Sequence, residues 1–203
     1  MLLLALTLGT PSCSYLDIVP DERPTEEDAF KDKNAAERYL YSCYAFMPKE
    51  WEGAYLYQTG EVVTDYNRDS MEGTMSAANI GNFHYWSRLY SGIRRCYTML
   101  ANLDDVPNME ENLKTQYKAE SRFLRGWFYW NLLRLYGPFV IFEKPAEQDE
   151  DFNNYVRRPF DECVEYVCGL MESTLNVLPD VWTSTAYLGR PTRGAALAVI
   201  SQA

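Results

Sequence analysis

Carboxylate and amide side chains crowd one stretch of the chain: Glu61 and Asp65 stand four residues apart, and Asp65-x-Asn67-x-Asp69 follows directly. Two carboxylates at that spacing face each other on a helix, and a carboxylate pair is the machinery of a glycosidase. An opposed acid and base must sit about 5–9.5 Å apart across a cleft with divergent pKa values, which spacing along one segment does not supply. A solvated acidic surface accounts for the pair. The Asp-x-Asn-x-Asp run opens like a calcium loop, but Ser70 stands where the turn needs Gly, and Ser76 where a bidentate Glu closes the site. Nucleophilic catalysis would need His84, the one histidine, beside Cys96 or a serine with an acid to orient it. His84 reads instead as a structural or surface residue, and no Gly-rich phosphate loop is present. The residue types predict no catalytic group, no metal and no cofactor.

Binding chemistry is better supplied. Aromatics make up 15% of the chain, led by 16 tyrosines, and a flat ring covers the C–H face of a pyranose while polar neighbours hold its hydroxyls. Trp86, Trp127 and Trp130 fall on helical stripes and are expected in the core. Trp51, Tyr55, Tyr57, Tyr66 and Trp182 fall outside clear helices. The loop 51–82 is rich in Asp, Asn, Arg, Gly and Ser, and loops on rigid scaffolds commonly carry function. Trp51 and Tyr66, with Asp65, Asn67, Arg68 and Asp69 to pair with sugar hydroxyls, are the candidate ligand-binding residues; an ordinary solvated loop is the plainer account of any one of them. The net charge of −10 repels phosphate backbones and anionic head groups, which argues against nucleic-acid binding.

The elements that must position these residues are helices. At 203 residues and 47% hydrophobic content the chain suffices for one sizeable domain. Thr25-Glu26-Glu27-Asp28 has the form of a helix cap, followed by an apolar face of Ala36, Leu40, Cys43 and Met47 up to Pro48. A second helix over about 83–103 carries Trp86, Leu89, Ile93, Cys96, Leu100 and Leu103, and Gly92 in its middle marks a close crossing. The third, about 109–136, is apolar nearly all round and therefore central. Gly137-Pro138 stops it, and 139–142 continues as an extended segment. A fourth starts with Pro159 in its first turn and carries Phe160, Cys163, Val167, Leu170 and Leu178. A fifth starts near Thr192 and is cut at Ala203, its density of small residues implying tight packing. Cys43, Cys96 and Cys163 lie on apolar faces, where free thiols act as small hydrophobes. Cys163 and Cys168 point apart on one helix, so no obligatory disulfide is expected.

The first residues, Met1 to Leu8, form an apolar run too short to span a bilayer, which takes about 20 residues. It is the length of a secretory signal core. Cys13 follows small residues, as the lipidated cysteine of a bacterial lipoprotein does. The expected organisation is a signal peptide over 1–12 lacking its basic start, a tether over 13–24, and a helical domain over 25–203.

The segment Glu120-Ser121-Arg122-Phe123-Leu124-Arg125-Gly126-Trp127-Phe128-Tyr129-Trp130, closing with Leu135-Tyr136-Gly137-Pro138, resembles the most recognisable stretch of the SusD/RagB family, outer-membrane nutrient-binding lipoproteins of Bacteroidetes. Arg158-Pro159 with Val177-Leu178-Pro179, and Gly189-Arg190-Pro191-Thr192-Arg193-Gly194-Ala195-Ala196-Leu197-Ala198, continue it in the family's order. Cys13-Ser14-Tyr15-Leu16-Asp17 is similar to the family's mature amino terminus. The resemblance implies a mainly all-α, tetratricopeptide-like scaffold with long irregular loops, here its amino-terminal portion. It also implies a surface-exposed protein, lipid-anchored to the outer membrane through Cys13, that binds a glycan, or in some members a peptide. The ligand would pass to a SusC-like, TonB-dependent transporter, without catalysis. The alternatives are a helical-repeat scaffold for protein or peptide partners and, more remotely, a glycoside hydrolase.

Overall fold

Short side chains that compete for backbone hydrogen bonds decide where the first helices lie. The computed structural model describes residues 26–47, 85–144, 151, 153 and 155–203. Within them α1 spans Glu26–Phe30 and α2 Lys33–Tyr44, where the hydrophobic pattern predicts one continuous helix. Asp32 causes the break: in extended conformation, its carboxylate accepts the Ala35 N–H at 2.8 Å and starts a new helix as its N-cap. The expected apolar face survives, with Ala36, Leu40 and Cys43 fully buried, while Met47 lies past the end of α2 and is half-buried. The cap proposed at Thr25 lies outside the described residues.

The third helix, α3, spans Trp86–Asn102 and runs into a 3-10 turn at Leu103–Asp105. The longest, α4, spans Glu111–Tyr136, α5 Phe160–Glu172 and α6 Arg193–Gln202. As expected, α4 is central: it packs against α2, α3, α5 and α6, and Tyr117, Leu124, Phe128, Tyr129 and Leu132 are almost wholly buried on its several sides. It stops at Gly137, whose φ of +70° belongs to glycine. Among the described residues there is no strand, and 139–142 belongs to no helix, strand or turn. None of the described helices is long and apolar enough to cross a membrane.

Three details differ from expectation in the second half. Pro159 is the N-cap of α5, just outside the helix. Phe160 is half-exposed, because the stripe that meets α4 begins one turn later at Cys163 and continues through Val167 to Leu170 and Met171. Leu178 is buried but lies in the chain of turns after α5, held where the Leu178 N–H donates to the Thr174 carbonyl at 2.9 Å. Thr192 caps α6 by accepting the Ala195 N–H at 3.3 Å, and α6 buries Ala196 and Val199 while Leu197 and Ala198 are exposed. Cys43, Cys96 and Cys163 are buried free thiols, and Cys168 is half-buried and also free.

Gly92 lets α3 and α4 approach closely. A Cβ there would lie 2.7 Å from Cε2 of Phe128, a ring with no exposed surface to swing into. At Gly126 on α4 the nearest atom would be the terminal methyl of Met171 at 3.0 Å, on a flexible side chain. Alanine improves helix propensity at both sites by roughly 1 kcal/mol, so packing decides the difference. Gly92→Ala should lower unfolding stability by about 1–3 kcal/mol and Gly126→Ala by less, as read from urea midpoints. Equal effects would contradict the packing difference between the two crossings.

Candidate functional site

Two stripes run side by side along the start of α3. Trp86, Tyr90 and Tyr97 form one, and Ser87, Ser91 and Arg94, each offset by a residue or so, form the other. Spacings of four and seven in the first, and of four and three in the second, keep each on one helix face. The non-helical segment 139–144 lies against them, and between α3 and that segment opens a groove of about 460 Å³. This lies within the roughly 300–1,000 Å³ range of small-molecule sites. Trp86, Tyr90, Phe142 and Tyr155 supply its half-buried ring surface, with Arg94 and Lys144 exposed at its margin.

Tyrosine hydroxyls fix the second wall. The Tyr90 hydroxyl accepts the Val140 N–H at 2.9 Å and donates to the Val140 carbonyl at 3.1 Å. The Tyr129 hydroxyl accepts the Phe142 N–H at 3.1 Å, and the Arg158 N–H donates to the Phe139 carbonyl at 2.9 Å. Burial pushes the Tyr90 phenol up to about 12, so it stays neutral and keeps its donor. The rings follow one another: Trp86 to Tyr90 at 5.0 Å, Tyr90 edge-on to Phe142 at 5.6 Å, Phe142 to Tyr155 at 4.8 Å. The Arg157 guanidinium lies over the Trp86 indole at 4.9 Å. Such a surface can cover a sugar face, and the two serines and the cations beside it can hold hydroxyl or acidic substituents.

A second constellation is charged and closed. Arg190 donates to Glu120 Oε1 at 3.0 Å, to Glu37 Oε1 at 3.2 Å and to the Tyr41 hydroxyl at 2.9 Å. Tyr44 and Gln116 donate to Glu120 at 2.6 and 2.9 Å, and Tyr117 and Tyr41 to Glu37 at 2.9 and 3.0 Å. The Arg190 guanidinium also lies 4.5 Å from the centre of the Tyr187 ring. Glu37 and Glu120 are thus a carboxylate pair that shares one arginine rather than facing a cleft, and Glu120 has no exposed surface. The cluster is structural. Among the described residues no group of three or more metal-ligating side chains comes together.

Trp51, Tyr66, Asp65, Asn67, Arg68 and Asp69 lie outside the described residues, as do Cys13, Glu61, His84, Tyr55 and Tyr57. Trp182 is half-buried and pins its own loop, its Nε1 donating to the Pro191 carbonyl at 3.0 Å; it is not in the groove. Trp127 and Trp130 are in the core as expected, but Trp86 is half-buried and walls the groove. The signal for that was the phase of Trp86, Tyr90 and Tyr97, one residue off the Leu89, Ile93 and Cys96 stripe that meets α4. Phe142 and Tyr155 carried no such signal, because only the tertiary path of 139–155 brings them to α3.

The family model described as starch-binding and associating with the outer membrane matches residues 15–203. Among solved structures, a SusD-like protein from Bacteroides fragilis is similar at 22% identity and a TM-score of 0.73, over 89% of this chain and 37% of that one. A laminarin-binding SusD-like protein matches at 23% identity and 0.73, over 85% of this chain and 40% of the other. Surface glycan-binding protein A from Bacteroides uniformis matches at 20% and 0.66, over 83% and 41%. The chain therefore spans about two-fifths of the length of these structures. No curated protein matches.

The cluster around Glu37 generates a pH dependence. Burial raises the Glu37 pKa, but hydrogen bonds from Tyr117 and Tyr41 and the Arg190 charge outweigh it and hold the carboxyl below its ordinary 4.5. A carboxyl depressed on folding adds stability that is present above its unfolded pKa and lost as pH falls through the folded value. The urea midpoint should hold from pH 7 to about 5.5 and fall below about 4.5. Glu37→Gln should lower the midpoint at pH 7 and shrink the acid-side drop. An undiminished drop in the variant would show that Glu37 does not carry it.

Proposed function

Since the chain belongs to the SusD-like family, described as starch-binding and associating with the outer membrane, we propose that it captures a glycan in the groove walled by Trp86, Tyr90, Phe142 and Tyr155. The observation that carries this reading is the run of half-buried rings held rigid by the hydroxyls of Tyr90 and Tyr129. Rings fixed in advance lose little entropy when a sugar stacks on them. The loop residues Trp51, Tyr66, Asp65, Asn67, Arg68 and Asp69 extend the contact, and Cys13 carries the lipid anchor that holds the protein at the cell surface. The glycan is handed unchanged to a SusC-like, TonB-dependent transporter. Binding without catalysis fits the site, because the described residues lining the groove include no carboxylate, and Glu37 Oε1 and both Glu120 oxygens are engaged by Arg190 and tyrosines.

Retardation in polysaccharide gels and calorimetry with oligosaccharides test this. Trp86→Ala should weaken binding by tenfold or more, about 1.4 kcal/mol, with no release of reducing sugar. Trp51→Ala with Tyr66→Ala should weaken it as well. Binding indifferent to Trp86→Ala removes the groove from the reading, and release of reducing sugar favours a hydrolase. A partner protein that co-purifies while a broad glycan panel gives nothing favours the helical scaffold.

A further inference from the structure

The Arg190 cluster ties the helices together at its base, yet its outer side is an aromatic surface. Tyr41, on α2, is 47% exposed although its hydroxyl is held between Arg190 and Glu37. Tyr187 is half-buried in the 3-10 turn Thr185–Tyr187 and places its ring 4.5 Å from the same guanidinium. Trp182, also half-buried, meets the Tyr187 ring at 5.3 Å, and Leu188 beside them is 72% exposed. The rings are fixed in advance. Trp182 bonds to the Pro191 carbonyl, the Ser184 hydroxyl caps the turn that carries Tyr187, and Tyr41 has two charged partners. Glu37 takes Tyr41, Tyr117 and Arg190 on Oε1 while its side chain stays 30% exposed, so its second oxygen can accept from a ligand hydroxyl.

The size of the patch decides what covers it. A large aromatic side chain carries about 150–250 Å², so the exposed fractions of these four residues come to roughly a few hundred Å². A stable protein interface takes about 800 Å² from each partner. A sugar needs less: a ring face with a few placed hydrogen-bonding groups beside it. Arg190 is already shared by Glu37 and Glu120, so an acidic sugar meets the Glu37 carboxylate and a matched guanidinium. We infer that Tyr41, Tyr187 and Trp182 form a second saccharide contact, for an uncharged sugar, separate from the groove. The inference rests on the chain being a glycan binder, not on which residues wall the groove. The patch is built by α2 and the 180–190 loop, the groove by α3 and 139–144. A short sugar therefore occupies one at a time, whereas a polysaccharide offers units to both, and two weak contacts on one polymer raise its apparent affinity without improving either.

Electrophoretic retardation in gels of soluble starch or laminarin, beside calorimetry with maltotriose and laminaritriose, tests this on the full chain. Tyr187→Ala should weaken retardation about fivefold or more, while the trisaccharide affinity set by the groove changes by less than about twofold. Tyr187→Phe keeps the ring and should match wild type. Tyr187→Leu keeps apolar bulk against Arg190, and so the fold, and should behave as Tyr187→Ala does. Trp86→Ala alone should leave a weaker retardation that vanishes when Tyr187→Ala is added. In a polygalacturonate gel the wild type and Tyr187→Ala should run alike; a difference as large as in the neutral gels overturns the preference for uncharged sugar. Retardation unchanged in both Tyr187→Ala and Tyr187→Leu overturns the second contact and leaves the groove reading intact, and a co-purifying protein lost in those variants makes the patch a protein contact instead. Retardation that depends on Tyr187 and is indifferent to Trp86→Ala supports the patch and removes the groove. A wild type retarded in neither neutral gel overturns both.

Discussion

One buried cation organises the contacts on which the helices depend. Arg190, with its side chain about 5% exposed, bridges Glu37 on α2 and Glu120 on α4, partners 153 and 70 residues away in the chain. A charge taken out of water costs several kcal/mol unless paired and fully hydrogen-bonded, and removing one partner of such a pair costs about 3–5 kcal/mol. Here the cation is paired twice. Two carboxylates, the Tyr41 hydroxyl and the Tyr187 ring surround the guanidinium; Gln116 shares Glu120 Oε1 with it, Tyr44 takes Glu120 Oε2, and Tyr41 and Tyr117 share Glu37 Oε1. The location matters as much as the energy. Arg190 immediately precedes Pro191 and the Thr192 cap, so holding it also holds the start of α6.

On the other side of α4 the same economy recurs with neutral groups. Tyr129 rises from the core with its ring against Phe139, Tyr90 and Tyr166, and ends in a hydroxyl bonded to the Phe142 backbone. The Tyr97 and Tyr166 hydroxyls meet at 3.1 Å, joining α3 to α5. Tyrosine suits both places because it buries a large ring yet ends in a group that must find a partner. The high tyrosine content is therefore divided between a core that needs directional contacts and a groove that needs ring surface.

The helices were largely legible because their apolar stripes are regular. The centrality of α4, the close crossing at Gly92 and the Thr192 start of α6 follow from periodicity, the lack of a side chain and a capping hydroxyl. The split between α1 and α2 was not, since a cap inside an apolar pattern competes on local hydrogen bonding, which periodicity does not register. The groove was only half legible. Its α3 wall shows as an aromatic stripe out of phase with the core stripe, but its second wall depends on long-range contacts such as Tyr90 to Val140. The Arg190 cluster was hidden for the same reason, because Glu37, Glu120 and Arg190 have no local relation to one another.

The paired hydrogen bonds between Tyr90 and Val140 have a meaning beyond the groove. In an antiparallel ladder, a residue exchanges both its N–H and its carbonyl with the residue opposite; here one phenol takes both parts. The backbone at 140, outside any helix, is thereby satisfied by a helix side chain standing in for a neighbouring strand. A protein of helices can in this way hold a non-helical length of chain in place without building a sheet to support it. At that residue the N–H and carbonyl are no longer an open template for another chain to pair with, which is the usual hazard of an unpartnered extended segment.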